Sequence, residues 1–171
     1  MMGQTIPGID EEFDRRVEQL GFEVVELEWA GSRARPILRL RVDRPDSEPG
    51  RGVTVDDCAR ISRELEPWLD GLGELSERYT LEVSSPGIER PLLRRRDFVR
   101  FRGFRASFRF DGPPEGFSSS RMEGTVEDVE EGPSPASFRV RIGLGSGEEL
   151  QVDSDRIVRA HLLWDWEDGD D

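Results

Sequence analysis

The sequence predicts an α+β protein in two parts: an α-β-β-α-β domain, then a small all-β barrel or sandwich. Three observations predict it. Two early segments carry apolar residues at helical spacing, three alternating stretches are interleaved with them, and after Gly103 only short alternating stretches remain, separated by turn clusters.

The first helix is predicted from Ile9, Phe13, Val17 and Leu20, which share one helical face. Asp10, Glu11 and Glu12 stand in its first turn, where acids suit the helix dipole, and Gly21 stops it. "FEVVELEW" follows as a half-buried strand, with Val25, Leu27 and Trp29 alternating with Val24, Glu26 and Glu28. After the connector "AGSRARP", "ILRLRVD" places Leu38, Leu40 and Val42 on one face and Arg39 and Arg41 on the other. Paired as a hairpin, these strands set Glu26 and Glu28 opposite Arg39 and Arg41 on the wet face, a pattern that favours solubility.

Residues 44–52, "RPDSEPGRG", are a loop by composition. Thr54 is the expected N-cap of the second helix, with Asp57 as its capping-box partner. Cys58, Ile61 and Leu65 line one face of that helix, so Cys58 is expected as a small core residue. Pro67 lacks the amide proton a helix needs, which predicts an end or kink near Glu66. "YTLEV" is the third strand. Beyond Gly103, "RASFRF", "MEGTVEDVE", "SFRVRI", "EELQV" and "RAHLLW" are the expected strands, and "WEDGDD" is an acidic tail.

Composition narrows the function. Of 171 residues, 36% are charged and 35% hydrophobic, which fits two small domains with thin cores better than one thick core. No apolar run is long enough to cross a bilayer, and the N-terminus has no basic region followed by an apolar stretch, so a cytoplasmic protein is expected. With Cys58 alone, an intramolecular disulfide and a multi-cysteine zinc site are excluded. All 24 basic residues are arginine, which removes the Walker lysine and Schiff-base chemistry, and His161 is the sole histidine. No enzyme, cofactor, metal or small-molecule substrate is expected.

The net charge of −13 is unevenly spread. Residues 1–89 hold 11 Arg against 20 acids, a net of −9, and residues 110–171 hold 5 against 16, a net of −11. Residues 90–109 hold 8 Arg against Asp97 alone, a net of +7. Two readings of this basic segment stay open: it docks on acidic neighbours in its own fold, or it contacts phosphate. The acidic bodies repel nucleic acid at long range and attract basic proteins. Phe98, Phe101, Phe104, Phe108 and Phe110 lie among these arginines, a pattern shared by single-stranded RNA binders and by packed strands.

Ser85, Pro86 and Gly87 form a turn signal: proline presets φ, and glycine takes the positive φ of a type II turn. Ser84 and Ser85 have no base near them in sequence, and the surroundings are not a G-x-S-x-G elbow, so they are structural or partner-facing rather than nucleophilic. "GLGSG", residues 143–147, lies between strands rather than before a helix and is expected as a hairpin loop, not a phosphate cradle. No G-x-x-G clamp occurs.

"GVTVDDCARISRELEPWLD" (Gly52 to Asp70) and "YTLEVSSPGIERPL" (Tyr79 to Leu92) resemble the ribosome maturation factor family RimP, and "DFVRFRG" and "DRIVRAHL" are similar to later segments of that family. The chain departs from the family in having no lysine, in Pro67, and in the long loop "DGPPEGFSSS". The resemblance implies a non-enzymatic cytoplasmic factor for maturation of the small ribosomal subunit. It also implies a C-terminal SH3-like or Sm-like barrel that binds a basic small-subunit ribosomal protein. On this basis the expected partners are the immature small ribosomal subunit, that protein and rRNA. The candidate rRNA contacts are Arg90, Arg94, Arg95, Arg96, Arg100 and Arg102. Ser84, Ser85, Pro86 and Gly87 are the expected interdomain turn. The expected divisions are an N-terminal domain over 1–91, a basic linker with a short helix over 92–102, a barrel over 103–164 and an acidic tail over 165–171.

Overall fold

The computed structural model describes residues 6–47, 52–87 and 89–163. The expected acidic tail and residues 48–51 of the expected loop lie outside the described residues. The chain divides into two compact units, Met1–Pro86 and Gly87–Asp171.

The first unit has the predicted order: α1 (Ile9–Gln19), β1 (Glu23–Gly31), β2 (Pro36–Asp43), α2 (Val55–Asp70) and β3 (Thr80–Ser84). Gly21, at φ 94°, ends the turn after α1 in a conformation that side chains with a Cβ rarely adopt. The sheet order is β1-β2-β3. β1 and β2 are antiparallel, while β2 and β3 are parallel and need the crossover that α2 supplies. Phe13, Val17, Leu38, Leu40, Ile61 and Leu65 are at most 1% exposed and form the core between helices and sheet.

The predicted charge pairing across the hairpin is present. Glu26 faces Arg41 and Glu28 faces Arg39, each as an ion pair, and Arg39 also reaches Glu82 on β3 at 3.1 Å. The expected alternation in β1 needs one correction. A bulge between Val24 and Glu26 makes Val25 an extra residue, so Val24 joins the core with Leu27 and Trp29, and Val25 is buried as well.

Thr54 caps α2 as predicted. Its Oγ1 accepts the Asp57 amide at 3.1 Å, and Asp57 Oδ2 accepts the Thr54 amide at 2.9 Å. That backbone bond, with the Arg44 guanidinium at 2.9 Å, holds the Asp57 carboxyl below its usual range. Cys58 is half-buried against the core, and burial pushes its thiol pKa up, which disfavours the reactive thiolate.

The helix does not end near Glu66: α2 runs on to Asp70 with the proline inside it. Proline cannot donate to the Arg63 carbonyl, but tertiary packing holds the last turn. Trp68 meets the Phe13 ring edge-on at 4.9 Å between centroids, and Leu69 is 1% exposed. One missing hydrogen bond is offset by burying these two side chains.

The second unit holds α3 (Arg95–Arg100), then β4 (Arg105–Phe110), β5 (Arg121–Glu131), β6 (Phe138–Gly143), β7 (Glu149–Asp153) and β8 (Ile157–Leu162). All five expected strands form one antiparallel sheet in the order β7-β6-β5-β4-β8. No pairing joins β7 to β8 among the described residues, so the sheet is not a closed barrel. A 3-10 turn at Ser154–Arg156 separates those two strands. Bulges at Val126/Asp128 and Arg109/Phe110 bend the sheet about its own core of Phe98, Phe108, Val126, Val140, Ile142, Ala160 and Leu162. The glycine-rich stretch is the loop between β6 and β7, as expected.

Candidate nucleic-acid interface

The basic segment begins as an addition to the sheet. The Leu162 amide donates to the Arg90 carbonyl at 2.9 Å, the Leu92 amide donates to the Ala160 carbonyl at 2.9 Å, and Pro91 bridges to His161. Residues 90–92 therefore run along the β8 edge and protect it from further pairing. With Leu92, Phe98 and Phe101 buried in the second core, residues 92–102 belong to the second unit rather than forming a free linker. The unit boundary falls between Pro86 and Gly87, in the predicted turn, where Gly87 takes φ 76°. Ser84 and Ser85 are exposed and Pro86 is half-buried.

Of the candidate contacts, Arg90 requires correction. It is 2% exposed, its Nη1 lies 3.2 Å from Asp97 Oδ1 and donates to the Pro91 carbonyl at 2.7 Å, and its Cζ lies 5.1 Å from the Phe101 ring centroid. A guanidinium so enclosed cannot meet a phosphate in solvent. Asp97, also 2% exposed, accepts the backbone amides of Leu93 and Arg94 through Oδ2 at 2.9 and 3.0 Å. One carboxylate thus anchors the start of α3 and neutralises the buried arginine. Sequence reasoning singled Asp97 out only as the lone acid of the segment.

The other arginines differ among themselves. Arg95 and Arg102 are exposed, and Arg102 lies 3.7 Å from Asp128. Arg94, Arg96 and Arg100 are half-buried, with Arg100 stacked at 4.7 Å over Phe101. The aromatics do not form a stacking platform. Phe98, Phe101, Phe108 and Phe110 are at most 3% exposed, and Phe104 alone of the five, at 41%, reaches solvent. This removes the main support for a base-stacking, Sm-like single-stranded RNA site.

The sheet brings together a second set of arginines that the sequence reading did not assemble. Arg109 on β4 stands directly opposite Arg121 on β5 and Arg159 on β8. All three are exposed, and beside them Ser107 stands opposite His161. The signal in sequence is one arginine at an outward position of each strand. Only the register shows that they share a row.

No group of three or more His, Cys, Asp or Glu among the described residues is arranged to hold a metal ion, and no helix there is long and apolar enough to cross a membrane. The class that emerges is a two-unit α+β protein with an acidic helix-on-sheet unit and a second unit that carries the basic segment. The comparison with family models is more particular. Residues 13–89 match the model described as the RimP N-terminal domain. The first unit thus carries an N-terminal domain of the RimP family.

Proposed function

We propose that the chain is a non-catalytic, cytoplasmic assembly factor that binds the immature small ribosomal subunit and favours one arrangement of it over misfolded alternatives. The match over residues 13–89 carries this reading. Charge supports it. A chain of net charge −13 meets basic ribosomal protein favourably, while exposed arginines at one segment meet rRNA phosphate. The second unit is proposed as an SH3-like module and as the part that binds a basic small-subunit ribosomal protein. Its meander of β4 to β7, with β8 returning to pair with β4, supports that assignment.

Arg95 and Arg102, with Arg94, Arg96 and Arg100, remain the proposed phosphate contacts of the basic segment, and Arg90 is withdrawn from that set. The test measures binding of the full chain to immature small subunits, to isolated small-subunit rRNA and to a basic small-subunit ribosomal protein across a salt range. Changing Arg94, Arg95 and Arg96 together to Gln is expected to weaken subunit association while leaving the circular dichroism spectrum unchanged. Wild-type chain that binds bare RNA but neither subunits nor the ribosomal protein would overturn the assembly function. Unaltered subunit association by the triple variant would remove these three residues from the interface.

A further inference from the structure

We infer that the outer face of the second sheet, at the row Arg121–Arg109–Arg159, is a docking surface for an RNA phosphate backbone, separate from the candidate contacts at residues 90–102. That the RNA belongs to an immature ribosomal subunit rests on the function proposed above. The anion-binding chemistry of the row does not.

This molecule makes one exception in how it places charge. Elsewhere on its sheets, outward arginines stand near acids: Arg39 beside Glu28 and Glu82, Arg41 beside Glu26, Arg139 beside Asp153, and Arg141 within 3.8 Å of Asp128, Glu130 and Glu149. The row on β5, β4 and β8 does the opposite. Three guanidinium-bearing residues occupy directly opposed positions on adjacent strands, about 4.8 Å apart, where like charges destabilise the sheet.

Neither Glu123 on β5 nor Asp111 just after β4 relieves this. Glu123 is paired with Arg105 at 3.2 Å, and Asp111 with Arg156 at 2.6 Å. Among the described residues no carboxylate lies within ion-pair distance of Arg109, Arg121 or Arg159. In a chain with 37 acids, an uncompensated cationic row is a cost to folding that an external anion would remove.

The chemistry of the row selects the anion. A shallow groove of about 170 Å³ runs beside it, lined by Ser107, Phe108, Arg109, Arg121, Arg159 and His161. Phe108 is 1% exposed, so the groove's charge and hydrogen-bonding groups are guanidinium, hydroxyl and the half-buried imidazole of His161. None of the residues lining this groove is an exposed large hydrophobic of the kind that anchors a protein interface. Guanidinium groups in a line suit successive phosphates, each able to take a bidentate pair of hydrogen bonds. With no exposed Phe, Tyr or Trp in the groove to stack on bases, recognition follows the backbone and not the base sequence.

The test uses the full chain, a short fluorescein-labelled RNA of mixed sequence, and fluorescence anisotropy between about 50 and 200 mM salt. Changing Arg109, Arg121 and Arg159 together to Gln is expected to lower the log–log salt slope by roughly 2–3 and weaken binding at least about tenfold at the low-salt end. The matching triple change to Lys should retain most of the slope. Removing like charges should leave the melting temperature of the Gln variant unchanged or higher, and single Arg109→Gln, at the centre of the row, gives a second reading of the slope. A slope altered by less than about 0.5 in the triple Gln variant would overturn the inference. So would poly-aspartate competing as well as RNA, since the row would then be an acceptor for acidic protein. Wild-type chain that shows the slope effect on bare RNA yet ignores immature subunits would sink the assembly function and leave the row standing.

Discussion

Arg90 and Asp97 set the terms for the basic segment. Their side chains are each 2% exposed, so the pair lies beyond the reach of solvent screening. Removing one partner leaves a buried charge without its counter-ion. Asp97→Ala is therefore expected to cost about 3–5 kcal/mol, read as a lower denaturant midpoint. A loss below about 1 kcal/mol would show that water reaches Arg90 in the folded state. The acid holds one guanidinium inside, while Arg95 and Arg102 are exposed and Arg94, Arg96 and Arg100 are half-buried. Neither role was visible in a linear charge count, where Arg90 looked no different from Arg95.

Among the elements, α2 shows how a local rule and a packed context compete. Its start follows local chemistry, because Thr54 and Asp57 satisfy each other's amides within one turn. The Asp57 carboxyl is held below its ordinary value first by the Thr54 amide, with Arg44 adding to it. A carboxyl depressed in the folded state contributes stability that is present above its unfolded value of about 3.9 and is lost as pH falls through the folded one. Asp57→Asn should thus flatten the acid limb of the stability curve below about pH 4, and an unchanged limb would refute the cap's electrostatic role. The end of α2 is a different matter. Pro67 signals a break, yet Trp68 and Leu69 hold the helix through packing that depends on Phe13, far away in sequence. β1 carries the same lesson, since its bulge at Val25 follows from pairing with β2 and not from its own alternation.

As a whole molecule, the chain has two cores that share no residue: one centred on Phe13, Leu38 and Leu65, the other on Phe98, Phe108 and Ile142. Each unit therefore contains its own driving force for burial. Residues 1–86 and 87–171 expressed separately are expected to fold, each giving a cooperative thermal transition and a dispersed amide spectrum. A second fragment begun at residue 103, the start of the expected barrel, should be destabilised, because it lacks Arg90 to Leu92 along β8 and the buried Leu92, Phe98 and Phe101. If that shorter fragment melts with the longer one, the basic segment is not part of the second core.

Element types and order were legible from residue patterning, because helix and strand periods are local properties of the chain. So were the hairpin charge pairs, the Thr54 cap and the division of charge along the sequence. Three things needed the folded chain: the depth of Arg90, the continuation of α2 through Pro67, and the alignment of Arg109 with Arg121 and Arg159. Each depends on strand register or on contacts between residues far apart in sequence. Periodicity says which way a side chain points, but not what stands opposite it.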